Sequence, residues 1–448
     1  MKRFALVALL AAMMFGIATS ASATELKVKG NLDVYGLWSA NLRDFDSDVS
    51  DGDNFGATQR MRTYFTFLAN ENLKAVLGLE INTDWGQGAG GDWGTDGTTD
   101  TRVKHAYIDF NFPDTKINTK AGLQAISLPG VFGNPVFSDD AASVVVSAPI
   151  TDMFGLAVGY TRGADRYDPN DVSFNRNTGE FADYPDQDDM DMVFLLAPIK
   201  LEGFAVTPYF AYAMVGENVS FAGQQGLDTG NAAYGNYLLD DSTIWVAGAN
   251  AKLTVFDPLT FAADLIYGVG ENDDYETKGW YAALAGSYKF SMLTATLFGT
   301  YGTGADDEDD EDNFLPTLAE AWEITPYLGG KRAFNTGWSD TGFFTGTTVT
   351  GRDGTGIWTV GLSLDKITFV DKLSHSLTFA YAQGTSDEDA DVLFDEDDSA
   401  WEVYMVNKYM IYENLAVINE LGFFAPDLED ADDADNSYFA TIGFKYDF

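Results

Sequence analysis

Alternation of apolar and polar residues at period two dominates the chain. In its last twelve residues, Tyr438, Ala440, Ile442, Phe444, Tyr446 and Phe448 fall on one face, and Phe439, Thr441, Gly443, Lys445 and Asp447 on the other. Side chains of an extended strand point alternately to its two sides, so this segment reads as a β-strand with one apolar and one wet face. The pattern recurs from the start of the chain. Leu26, Val28, Leu32 and Val34 oppose Lys27, Lys29, Asn31 and Asp33; Met61, Phe65, Phe67 and Ala69 oppose Arg60, Arg62, Tyr64 and Thr66. Next, Ala75, Leu77, Leu79 and Ile81 oppose Lys74, Glu80 and Asn82. These runs of about ten residues exceed the ~5–6 residues usual for sandwich strands. No fixed repeat marks a β-helix, and no stretch carries helical periodicity of useful length.

The connections alternate as regularly as the faces. Short turns are expected at Glu71-Asn72, Pro113-Asp114, Pro149–Thr151, Leu201–Gly203, Asp257-Pro258, Ser291-Met292, Asp371-Lys372 and Glu413-Asn414. Between them lie long segments rich in Asp, Gly and Asn, at 44–56, 86–100, 126–141, 162–189, 215–241, 304–355, 385–399 and 425–436. Such a meander puts every long loop at one end. The reading is all-β: a transmembrane antiparallel up-and-down β-barrel of about 18 strands, with short periplasmic turns and long acidic extracellular loops. Sixteen strands also fit, because the segments near 142–149 and 190–199 are short, and 304–355 has room for a hairpin. In an open sheet the C-terminal strand would leave an aromatic edge prone to aggregation; a barrel closes it onto the first strand.

The N-terminus changes the picture by adding a compartment. Lys2 and Arg3 precede an apolar run from Phe4 to Ile17, and Ala21-Ser22-Ala23 is a small-residue cleavage site. That is a secretory signal over 1–23, with the barrel over 24–448. A membrane-anchoring helix would need about 20 apolar residues, more than this run supplies. The absence of cysteine excludes disulfides and Cys-zinc sites. A formal net charge of -43 excludes nucleic acid as a partner recognised through bulk charge.

Candidate chemistry is sparse. Asp44, Asp46, Asp48, Asp51 and Asp53 have the spacing of a calcium loop, but Val49 stands where an EF-hand needs glycine. No cofactor is expected; weak divalent-cation bridging by the acidic loops is the most that Asp306–Asp312 and Asp395–Asp398 offer. Gly86–Gly91 matches a dinucleotide-binding spacing, yet a strand rather than a helix follows it. The two histidines, His105 and His375, have no motif of a nucleophilic serine, so no enzyme is expected. Against the acidic total, basic residues gather early. Arg60, Arg62 and Tyr64, alternating with Met61 and a Phe face, share the wet face of one strand, and Arg102, Lys104, Lys116 and Lys120 follow. That face is expected to be the wall of a lumen.

The signal, the meander, the basic early strands and the aromatic C-terminus resemble the trimeric porins of Gram-negative outer membranes. The stretches Lys104-His-Ala-Tyr-Ile-Asp-Phe110 and Lys120-Ala-Gly-Leu-Gln124 look most like the homotrimeric porins of sulfate-reducing bacteria. The resemblance implies a homotrimer in the bacterial outer membrane, in contact with lipid and lipopolysaccharide. It implies passive diffusion of small hydrophilic solutes and ions. It also implies a third long loop, Ser127 to Ala142, folded into the lumen, where Asp139 and Asp140 would face Arg60, Arg62, Tyr64, Arg102 and Lys120. Phe444, Tyr446 and Phe448 resemble the signal that the outer-membrane assembly machinery reads. A general diffusion porin and a substrate-specific channel with a solute-binding ladder both remain open.

Overall fold

The computed structural model describes residues 24–41, 45, 53–86, 100–164, 174–175, 180–181, 189–216, 242–273, 276–306, 311–318, 322–334, 355–390, 392, 394–429 and 434–448. The 1–23 signal segment lies outside the described residues, as do 46–52, 87–99 and 307–310 of the acidic and glycine-rich connections. Eighteen strands form the wall: β1 Glu25–Ala40, β2 Asp53–Asn70, β3 Leu73–Asp84, β4 Asp100–Asn111, β5 Asn118–Ser127, β6 Ser138–Pro149, β7 Gly155–Ala164, β8 Met190–Leu196 and β9 Phe204–Val215. They continue as β10 Ser242–Phe256, β11 Leu259–Glu271, β12 Glu276–Lys289, β13 Thr294–Gly302, β14 Ile357–Val370, β15 Leu373–Gly384, β16 Ser399–Tyr412, β17 Leu415–Asp427 and β18 Ser437–Asp447. Each pairs antiparallel with the next, and β18 returns to β1 with Asn31 opposite Asp447 and Ala40 opposite Tyr438. The last residue finishes the seam: the Phe448 carbonyl accepts from Gly30 N at 2.8 Å, and Phe448 N donates back at 2.9 Å. The expected closed antiparallel barrel of 18 strands is thus the fold.

Three expectations change in detail. The strand placed near 142–149 starts at Ser138, and the one near 190–199 ends at Leu196, with Ile199–Leu201 resuming the ladder against β9. The described part of the 303–356 connection contains no hairpin; its only strand residues are Glu311–Asp312, parallel to the start of β12. Only four positions, 272–275, separate β11 from β12, although this connection lies at the long-loop end.

The two faces separate cleanly. Leu265, Leu284, Leu297, Val360, Phe379 and Ile442 point outward and are exposed. Near the long loops the outer face carries ring pairs at Trp38–Tyr438, Trp245–Tyr267, Trp280–Tyr301 and Trp358–Tyr381, with centroids 4.7–5.6 Å apart. Near the turns it carries Phe256, Tyr288, Phe290, Phe369, Tyr412 and Phe448, also exposed. An apolar band bounded by two aromatic girdles is what a lipid-facing barrel requires. The buried apolar residues lie inside. Trp322, Tyr327 and Phe334 from the 303–356 connection pack with Tyr281, Phe424 and Phe439 of the inner wall, all at or below 2% exposure.

Candidate functional site

The inner face of β1–β5 is the charged side of the lumen. Cross-strand register places Asp33, Arg60 and Asn82 in one row, and Asn31, Arg62, Glu80 and Arg102 in the next. Arg62 Nε meets Glu80 Oε2 at 2.5 Å, and Lys74 Nζ meets Asp109 Oδ2 at 2.9 Å. Tyr64 packs against the His105 ring at 5.4 Å, and Lys120 Nζ sits 4.2 Å from the centre of the Tyr107 ring. Arg60, Arg62, Tyr64, Arg102 and Lys120 therefore share one face of adjoining strands. Glu80 and Lys74, which interleave with them, carry no motif that marks them in the sequence; their place on the wet face of β3 is the available signal, as the face shared with His105 and Tyr107 is for Asp109.

Asp139 and Asp140 do not sit on an inward loop. Their backbones belong to the β5–β6 ladder, opposite Ile126 and Ala125. Asp140 instead binds Lys104 and His105, with His105 Nε2 at 3.0 Å. The inward segment is shorter than expected, Leu128–Phe137, and it carries no charge. Asn134 shapes it: its Oδ1 accepts from Val136 N (2.9 Å) and Phe137 N (3.1 Å), and its Nδ2 donates to Pro129 O and to Tyr209 Oη on β9. Gly130 approaches so closely that a Cβ there would stand 1.8 Å from the Gly133 carbonyl oxygen. At the tip, Val131 N donates to Asp264 Oδ2 of β11 (2.6 Å), and Phe132 packs on Phe298 of β13 at 5.2 Å. This segment crosses the lumen.

A second segment lies against it. From the connection between β13 and β14, Thr317 Oγ1 donates to Pro135 O, Leu318 N to Val136 O (2.9 Å) and Glu323 N to Phe132 O (2.7 Å). Farther along, Trp322 Nε1 donates to Tyr281 Oη, Tyr327 Oη bonds Ser437 Oγ at 2.6 Å, and Phe334 stacks on Tyr35 at 4.6 Å. The two segments form a partition that covers the inner face of β9–β18 and of upper β1 at this level. Arg62, Tyr64, Lys74, Tyr107 and Lys120 keep solvent exposure on the other side. Burial in the partition pushes the Glu323 carboxyl above the usual carboxylate range, against the opposing charge of Lys331. Toward the short turns the inner face is hydroxylic, with Ser287–Thr296 and Ser363–Thr378 pairs at 2.8 Å.

No protein-family model matches the chain, and no curated protein matches it in sequence. Its fold does match solved structures. OccAB3 of Acinetobacter baumannii superposes with a TM-score of 0.55 at 14% identity, covering 94% of this chain and 99% of the other. OpdL of Pseudomonas aeruginosa gives 0.54 at 11% identity, with 94% and 99% covered. A BenF-like porin from Pseudomonas fluorescens Pf-5 gives 0.53 at 11%, again with 94% and 99%. The fold is that of outer-membrane channel barrels.

Proposed function

We propose that this chain is a porin of the bacterial outer membrane, a water-filled channel for passive diffusion of small hydrophilic solutes and ions. The observation that carries the reading is the lumen itself: an apolar, aromatic-girdled exterior encloses an interior where Arg62, Lys74 and Lys120 of the β2–β5 wall keep contact with solvent. A closed barrel satisfies its backbone internally and so tolerates lipid outside and water inside. The substrate-specific reading has support of its own, because Arg62, Tyr64, Tyr107 and Lys120 concentrate on one strip rather than around the lumen. Liposome swelling with sugars and carboxylates of graded size separates the two. A size cutoff without chemical preference fits the general porin; saturable uptake fits the specific channel; no swelling sinks both.

The porin reading includes a homotrimer in lipid and lipopolysaccharide, assembled by the machinery that reads aromatic C-termini. The expected result is a species of about three times the mass of the 24–448 chain on a gel of unboiled protein in SDS, collapsing to one chain on boiling. A single-chain band before and after boiling rules the stable trimer out.

A further inference from the structure

The segment Thr325–Phe334 is held by two acidic residues of the wall. We infer that it sets the bore of the channel and that Glu402 and Glu420 are its positioning residues; the inference rests on the pore reading above. A barrel of 18 strands is wide enough to leave an open aqueous lumen. Whatever narrows this one must be fixed to the wall, and for Thr325–Phe334 the wall supplies two buried carboxylates for that purpose.

Glu402 of β16 and Glu420 of β17 point inward and are both fully buried. Each spends its carboxylate on the entering segment. Glu402 accepts from Thr325 Oγ1 and from Tyr327 N at 3.2 Å, at the start of the turn. Glu420 accepts from Ala333 N at 2.7 Å and faces the Arg332 guanidinium at 3.7 Å, at its end. Tyr404 Oη and Thr441 Oγ1 donate to Glu420 at 2.5 and 2.7 Å and hold it in place. Between the two anchors the chain reverses through Gly329 and Gly330 with φ of 97° and 76°, and Lys331 N closes the turn on Thr325 O at 3.0 Å.

The anchoring is costly enough to be specific. A buried carboxylate must be matched by donors, and a donor left without its acceptor forfeits its desolvation cost. Because Thr325, Tyr327, Arg332 and Ala333 satisfy these two groups, the segment has one seat, and that seat confines solutes to the β2–β5 side. Freed of the anchors, the segment leaves its seat, and ions also pass along the β14–β18 wall and upper β1, outside the strip that carries Arg62, Lys74 and Lys120.

The test is single-channel recording in planar bilayers of wild type, Glu402→Leu/Glu420→Leu and Glu402→Gln/Glu420→Gln, with heat-shifted gel migration as the check on the wall. The Leu pair is expected to raise conductance about two-fold or more, since the vacated part of the lumen conducts. It should also admit larger sugars and weaken ion preference. The Gln pair keeps an acceptor oxygen at each site and should stay near wild type, a rescue that mere loss of wall stability would not produce. Thr325→Val/Phe334→Ala weakens the same seat from the loop side, leaves the strands untouched, and should widen the pore in the same sense. A conducting wild type matched by both the Leu pair and the loop-side pair, or exceeding them, overturns the inference alone. A silent wild type overturns the pore reading with it.

Discussion

Replacing Arg60 and Arg62 together by Gln is expected to shift the reversal potential in a salt gradient strongly toward cations. Arg62 lies eight residues from the end of β2 at Asn70. At about 3.3 Å per residue and a tilt of about 40°, that is roughly 20 Å above the turn, in the upper half of the wall. Both side chains face inward, beside Asp33 and Glu80. Their loss therefore does more than subtract two positive charges, because it leaves the buried Asp33 and Glu80 carboxylates less compensated behind the lumen surface that Arg62 reaches. The loop carboxylates are more numerous, but charges in bulk water are screened within about 8 Å, whereas an ion in a half-filled lumen stays close to the wall. Arg60→Lys/Arg62→Lys keeps the charge and should keep the sign of selectivity. An unchanged reversal potential in the Gln pair would mean that the solute path does not touch this wall.

Deleting Phe448 is expected to empty the outer membrane of this protein while costing the finished barrel little. The residue contributes two backbone hydrogen bonds to Gly30 and a ring stacked on Tyr446 at 5.8 Å. Two such bonds are worth about 0.5–1.5 kcal/mol each, and a half-exposed aromatic less than the roughly 1.5–3 kcal/mol of full burial. Ten further register pairs close the same seam from Asn31 to Ala40. Phe448→Ser keeps both backbone bonds and removes only the ring. If the ring is what assembly reads, the two variants should fail alike in cells, yet refold in detergent to the wild-type gel pattern. Wild-type membrane levels of Phe448→Ser would sink the assembly role.

The wall was legible in the sequence because period-two alternation is a local property, and so was the placement of Arg60, Arg62 and Tyr64 on one face. The contents of the lumen were not. Glu402 sits between Ala400 and Tyr404 on its face, Glu420 between Ile418 and Gly422, and Asp264 between Ala262 and Ile266. An inner face that apolar is a trace of something covering it, but alternation alone says only which side is wet. Nothing local pairs Thr325 with a residue 77 positions on, or Val131 with one 133 on. The same limit explains Asp139 and Asp140. Only the β5–β6 register shows that the strand has already begun where both the pattern of long segments and the resemblance draw a loop.

The aromatic packing inside the barrel gives the partition a thermal character different from that of the wall. Trp322, Tyr327 and Phe334 leave water when the segments dock, rather than exchanging water for lipid. Burial of that kind carries a large heat-capacity change and weakens on cooling. The wall is a ring of backbone hydrogen bonds with no comparable term. Cooling therefore loosens the partition ahead of the barrel, and the temperature dependence of conductance reports on the loops while the strands stay as they are.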